Sequence, residues 1–79
     1  MSNKAMTLAL AGRLSEAEAL AQQAAGSPEA DARVRQSYAL VLAMQGKTDA
    51  AAEAYARDLS ADQAAANVAL VQKMRRQGV

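Results

Sequence analysis

The groups that could do chemistry in this 79-residue chain are few. Histidine and cysteine are both absent. That removes the commonest general base, the thiolate nucleophile, the disulfide and the imidazole or thiolate metal ligand together. What remains is carboxylates against lysines and arginines, with a formal net charge of +1. The carboxylates are Glu16, Glu18, Glu29, Asp31, Asp49, Glu53, Asp58 and Asp62. Acid–base work by a carboxylate pair needs two of them converging in a pocket that drives their pKa values apart. Most of these stand where a helix would begin, and capping and the helix dipole account for them there. Glu53 and Arg57 are four apart, in the favourable order for a helical ion pair. No Gly-rich phosphate loop, metal-ligand spacing or nucleophile–base pair occurs. The chain reads as non-enzymatic, with no cofactor and no metal.

The cations give little more. Lys73, Arg75 and Arg76 gather at the end of the chain. They could meet an anionic partner, but cations at a helix C-terminus are the more ordinary reading. Arg33 and Arg35 point roughly 200° apart on a helix and make no common patch. The near-neutral balance lacks the footprint of a nucleic-acid binder. A small helical nucleic-acid domain stays as a rival, because Gly12 and Gly46 could form helix-turn-helix corners; no basic recognition helix accompanies them. No apolar run approaches the roughly 18 residues of a membrane span. No signal peptide is visible ahead of the amphipathic start, so direct membrane insertion of this chain is not expected.

The elements that must position any site are helices. Alanine, the best helix former, dominates, and Tyr38 and Tyr55 are the only aromatics. Five helices are expected in one domain. The first covers Ser2 to Ala11 and ends at Gly12. The second starts at a Ser15–Glu18 capping box, runs to about Ala25 and turns Ala17, Leu20, Ala21 and Ala24 inward. Ser27-Pro28-Glu29 opens the third, which carries Val34, Tyr38, Val41, Leu42 and Met44 as far as Gln45. Asp49 or Thr48 caps the fourth, which turns Ala51, Ala54 and Tyr55 inward and ends near Leu59. A Ser60–Gln63 box opens the fifth, which reaches about Arg76 with Ala64, Asn67, Leu70, Val71 and Met74 in one stripe.

These helices repeat. Gly12 and Gly46 lie 34 residues apart. The same offset pairs Ala5 with Ala39, Leu8 with Leu42, Ala9 with Ala43 and Ala17 with Ala51. Thirty-four residues is the period of tetratricopeptide (TPR) repeats, whose pattern runs W-x2-L-G-x2-Y, then A-x3-F, then P. Tyr38-Ala39-x2-Leu42 and Ala51-x3-Tyr55 resemble its central parts. Arg35 and Met1 stand at the tryptophan position, and Gln63 and Glu29 at the proline position. The fold expected is all-α: TPR-like right-handed hairpin repeats over about 1–26 and 28–59, with a capping helix over about 60–76. Two repeats and a cap suggest the end of a longer array, whose uncovered N-terminal helix could self-associate into a homo-oligomer.

The runs ALVLAMQGKTDAAAEAYARDLS and ADQAAANVALVQKM resemble the C-terminal end of the TPR lipoproteins of the tight-adherence (Tad, or Flp) pilus assembly system. MTLALAGRLSEAEALAQQAA resembles that family's preceding repeat. The most specific stretch is Ala64 to Ala69 after Arg57-Asp58-Leu59. The resemblance implies a bacterial scaffold at the periplasmic side of the outer membrane that assists the pilus secretin. Full-length members carry an N-terminal lipoprotein signal and cysteine, which this sequence does not show, so membrane attachment is not carried over.

In TPR arrays the first helix of each pair lines a concave groove that takes a peptide or a partner helix. By position, Met6, Ala9 and Leu10 would line it in the first repeat. Gln36, Leu40, Ala43 and Met44 would line it in the second, with Arg33 at one rim. Asn67 and Leu70 would close its end. Such a groove is apolar with a few polar groups, and its methionines adapt to irregular partners. The competing reading makes Leu40 and Met44 ordinary core. The Asn67 amide is expected to bond to the end of a neighbouring helix, with a partner's backbone as its alternative, and the rival role for the chain is the structural end-cap of an array.

Overall fold

The computed structural model describes residues 7–9 and 11–76. Among them the backbone is helical throughout its regular elements, with no strand. The segment at 7–9 is α1; then come α2 (Leu14–Ala25), α3 (Ala32–Met44), α4 (Thr48–Tyr55) and α5 (Ala61–Arg76). Most of the first expected helix, with Met1 and Met6, lies outside the described residues.

The two glycines 34 residues apart make the same turn. Gly12 has φ +82° and Gly46 +83°, the left-handed region that costs glycine least. Gly12 N–H donates to the Ala9 carbonyl at 3.0 Å, and Arg13 N–H to that of Leu8 at 2.9 Å. Gly46 N–H donates to Ala43 at 3.0 Å, and Lys47 N–H to Leu42 at 3.1 Å. Each pair is a Schellman motif, which satisfies the last carbonyls of the preceding helix.

This turn overrides the expected caps. The residue after each glycine, Arg13 or Lys47, becomes the N-cap of the next helix, without a side-chain cap. Ser15 therefore lies inside the first turn of α2, and Thr48 and Asp49 inside that of α4. The Ser15–Glu18 box does not form. Because the 6→1 bond fixes the residue after glycine, the next helix starts at once.

The start of α3 is also later than expected. Glu29 N–H donates to Ser27 Oγ at 3.2 Å and Ala30 N–H to the Ser27 carbonyl at 3.0 Å, so Ser27-Pro28-Glu29 is a turn. Asp31 is the N-cap, accepting from Val34 N–H at 3.0 Å. α4 stops at Tyr55 and not near Leu59, so Arg57 lies in a turn and pairs with no described carboxylate. The Ser60–Gln63 box does form: Gln63 N–H donates to Ser60 Oγ at 3.1 Å and Ser60 N–H to Gln63 Oε1 at 3.2 Å.

The core is built on α3. One cluster joins Ala39, Leu42 and Ala43 to Ala51, Ala54 and Tyr55 of α4 and to Ala64, Val68 and Val71 of α5. The other joins Val41 to Ala9 and Ala17, and Met44 touches both. α2 packs on α3, while α4 and α5 pack on α3 and on each other; α2 touches neither α4 nor α5. Polar links tie the layers. Glu18 accepts from Gln45 Nε2 and, at 2.6 Å, from Lys47 Nζ, joining α2 to the α3–α4 turn. Arg35 grips Asp58 through Nε at 2.9 Å and Nη2 at 2.7 Å, and its Nη1 donates to the Ala30 carbonyl at 3.0 Å.

Candidate protein-binding groove

The groove arises from how α5 sits on α3. Gln72 Nε2 donates to the Ala43 carbonyl at 3.0 Å, and three residues further along the chain in each case the Arg75 guanidinium lies over Gly46, just past the end of α3. The two helices therefore run in the same direction. Ala64, Val68 and Val71 are the α5 residues that enter the core. The expected stripe of Ala64, Asn67, Leu70, Val71 and Met74 divides. Ala64 and Val71 are buried, while Leu70 is 57% and Met74 45% exposed. A helix face one hundred degrees wide cannot all enter a seam this narrow, so its flank stays open.

That flank and the facing side of α3 bound an open groove of about 560 Å³. Its α3 wall is Arg33, Gln36, Ser37 and Leu40. Its α5 wall is Asn67, Leu70, Val71 and Met74, and Tyr55 contributes from α4. Five of the ten expected residues thus come together: Arg33, Gln36, Leu40, Asn67 and Leu70. Leu40 serves both expectations, since it packs against the core and also lines the groove. Ala9 and Ala43 are buried core residues, a correction to their placement in the groove. At these positions an alanine lets neighbouring helices approach closely, and the approach covers it. Met44 is half-buried between the two clusters and does not line the groove. Met6 and Leu10 lie outside the described residues.

Ser37, Tyr55, Val71 and Met74 line the groove without having been placed there from sequence. Periodicity could have found Met74, four residues after Leu70, and Ser37, three before Leu40. Nothing local could have found Tyr55, which reaches across from α4.

The polar groups divide by function. The Asn67 amide makes no hydrogen bond to another described residue, so the helix-end bond expected of it is not formed. Arg33 is exposed and takes no ion pair among the described residues. The other cations near α3 are occupied. Lys47, and then Gln45, hold the Glu18 carboxyl below its ordinary pKa. Arg35 holds the Asp58 carboxyl below its own, and Asp58 raises Arg35 in turn. Burial pushes the Tyr55 phenol up. The basic end of α5 is divided, since Arg75 Nη1 donates to Gln72 Oε1 at 3.0 Å beside Gly46, while Lys73 and Arg76 face solvent.

A second depression lies along α1 and α2, lined by Leu8, Leu20 and Ala19 with the Arg13–Glu16 pair at 2.7 Å. None of its described large apolar side chains is among the exposed ones. Leu70 and Met74 are the exposed large hydrophobics of the described residues, and both lie in the α3–α5 groove. Among the described residues no cluster of His, Cys, Asp or Glu could hold a metal, and no helix is long and apolar enough to cross a membrane. Comparison with known proteins finds no matching family model, curated protein or solved structure.

Proposed function

We propose that this chain is a non-catalytic, TPR-like scaffold that binds another protein through the groove between α3 and α5. The observation that carries this is the concentration of exposed apolar surface. Leu70 and Met74 stand side by side over a floor of Leu40, Tyr55 and Val71, with polar groups at the edge that are unpaired among the described residues. An apolar floor with a few polar groups suits a short helix or an extended segment. The repeat reading is supported by the two matched Schellman turns and by each hairpin packing on its sequence neighbour. The tight-adherence resemblance makes a secretin component of the pilus assembly machinery the partner to test first, in the bacterial envelope.

The test is co-sedimentation of the chain with a solubilised tight-adherence secretin, wild type beside Leu70→Glu. Leu70 is more than half exposed, so the variant is expected to keep its helical circular dichroism. Co-sedimentation abolished by Leu70→Glu supports the proposal. Co-sedimentation that survives moves the site off the groove, and none with either protein removes the pilus assignment.

A second reading rests on α5, which covers both α3 and α4 and turns Asp62, Lys73 and Arg76 to solvent. That is the form of an end-cap that closes a helical array. Association with the preceding repeats of a parent protein, unaffected by Leu70→Glu, would favour it.

A further inference from the structure

The described lining of the groove is asymmetric in charge. Among the described residues its lining holds one cation, Arg33, and no carboxylate. Three other cations of the described residues, Arg13, Arg35 and Lys47, already have carboxylate partners. Arg33 has none among the described residues, although it stands in the first turn of α3 at the rim. Leu40 lies seven residues further along the same wall, two helical turns or about 10 Å away. Beyond it on the facing wall stand Leu70 and Met74. Gln36, Ser37 and Asn67 lie between, neutral and able to donate or accept.

We propose that the occupant is an amphipathic helical segment of a partner protein that carries an acidic side chain about two turns from its apolar anchor. The anchor sits against Leu40, Leu70 and Met74, and the carboxylate meets the Arg33 guanidinium, whose fork suits it. This rests on the binding-module reading above and adds the partner's chemistry to it. A basic segment would place like charge on Arg33, and a neutral one would leave it unpaired.

The test uses blocked amphipathic peptides of about twelve residues, about 18 Å as a helix. Each has two leucines on one face and a variable residue two turns from a leucine in either direction, so either binding orientation offers it to Arg33. The variable residue is Glu, Gln or Lys. Binding is read by fluorescence anisotropy at low and high salt. The Glu peptide is expected to bind about threefold tighter than the Gln peptide at low salt, with the advantage fading as salt screens an exposed pair. The Lys peptide is expected to bind more weakly than either. Arg33→Glu should reverse the order, and since the Arg33 side chain bonds to no described residue the fold should be unaffected. Equal binding of Glu and Gln peptides at low salt, or an unreversed order in Arg33→Glu, overturns the acidic-partner inference. In that case Leu70→Glu separates the two ideas: if it abolishes the equal binding, the groove reading stands alone. Failure of every peptide to bind overturns both.

Discussion

Gly12 and Gly46 share a conformation but not an environment. Among the described residues a Cβ at Gly12 would meet nothing within 4 Å, whereas one at Gly46 would lie 2.8 Å from Arg75 Nη1. Alanine at either position would hold a left-handed φ, at about 1–2 kcal/mol. The Arg75 contact is the far end of a flexible side chain that can swing away, so it adds little. Gly12→Ala and Gly46→Ala are therefore expected to lose similar stability in urea unfolding, with Gly46→Ala slightly the worse. The excess should vanish in an Arg75→Ala background. A much larger loss at Gly46 would mean that Arg75 is held rigidly. Both turns were legible in sequence, because a glycine after an apolar helical face has few other uses. The caps beside them were not. Ser15 and Glu18 have the spacing of a box, yet the backbone turn consumed the position the serine would have needed.

At the level of helices, alanine sets the distances. Ala17 and Ala51 are fully buried and occupy equivalent places in the two hairpins, where α2 and α4 meet their neighbours. Leucine there has no room without separating the helices, and overpacking of this kind costs about 1–3 kcal/mol. Ala17→Leu and Ala51→Leu are expected to lower the thermal midpoint strongly. Ala65→Leu, on the exposed side of α5, should stay within about 0.5 kcal/mol of wild type. Equal effects at all three positions would sink the close-packing account. The burial of Ala17, Ala21, Ala51, Ala54 and Tyr55 followed the helical period as expected. The α5 stripe did not, since period alone names a face and cannot say how much of it a neighbour covers.

For the whole molecule, a core this small leaves a margin of only a few kcal/mol, and cross-element polar links bear on it. Arg35–Asp58 ties the start of α3 to the turn after α4, and Glu18–Lys47 ties α2 to the α3–α4 turn. Both carboxyls have folded-state pKa values below their unfolded ones. Their stabilisation is therefore complete above the ordinary carboxylate range of about 4 and is lost as pH falls through the depressed values. Urea midpoints are expected to hold near neutrality and to fall below about pH 4. Asp58→Asn should lower the neutral midpoint and flatten the acid slope. A slope as steep in the variant as in wild type would show that Arg35–Asp58 does not contribute to it.

Local chemistry was enough to determine the helical class, the two glycine turns, the S-x-x-Q start of α5 and most of the buried alanines. Propensity, glycine's freedom at positive φ and the helical period all act within a few residues, so the sequence carries them directly. Arg35 shows where that reach ends. It stands at a position where the repeat pattern has tryptophan, and only the fold brings it to Asp58, twenty-three residues away. The groove is decided in the same way. Its walls are α3 and α5, its floor includes Tyr55 of α4, and the apolar side chains left open on it are those that the seam between α3 and α5 could not admit. Which part of an amphipathic face is covered depends on the distance and direction of another helix, and that is a property of the packed chain.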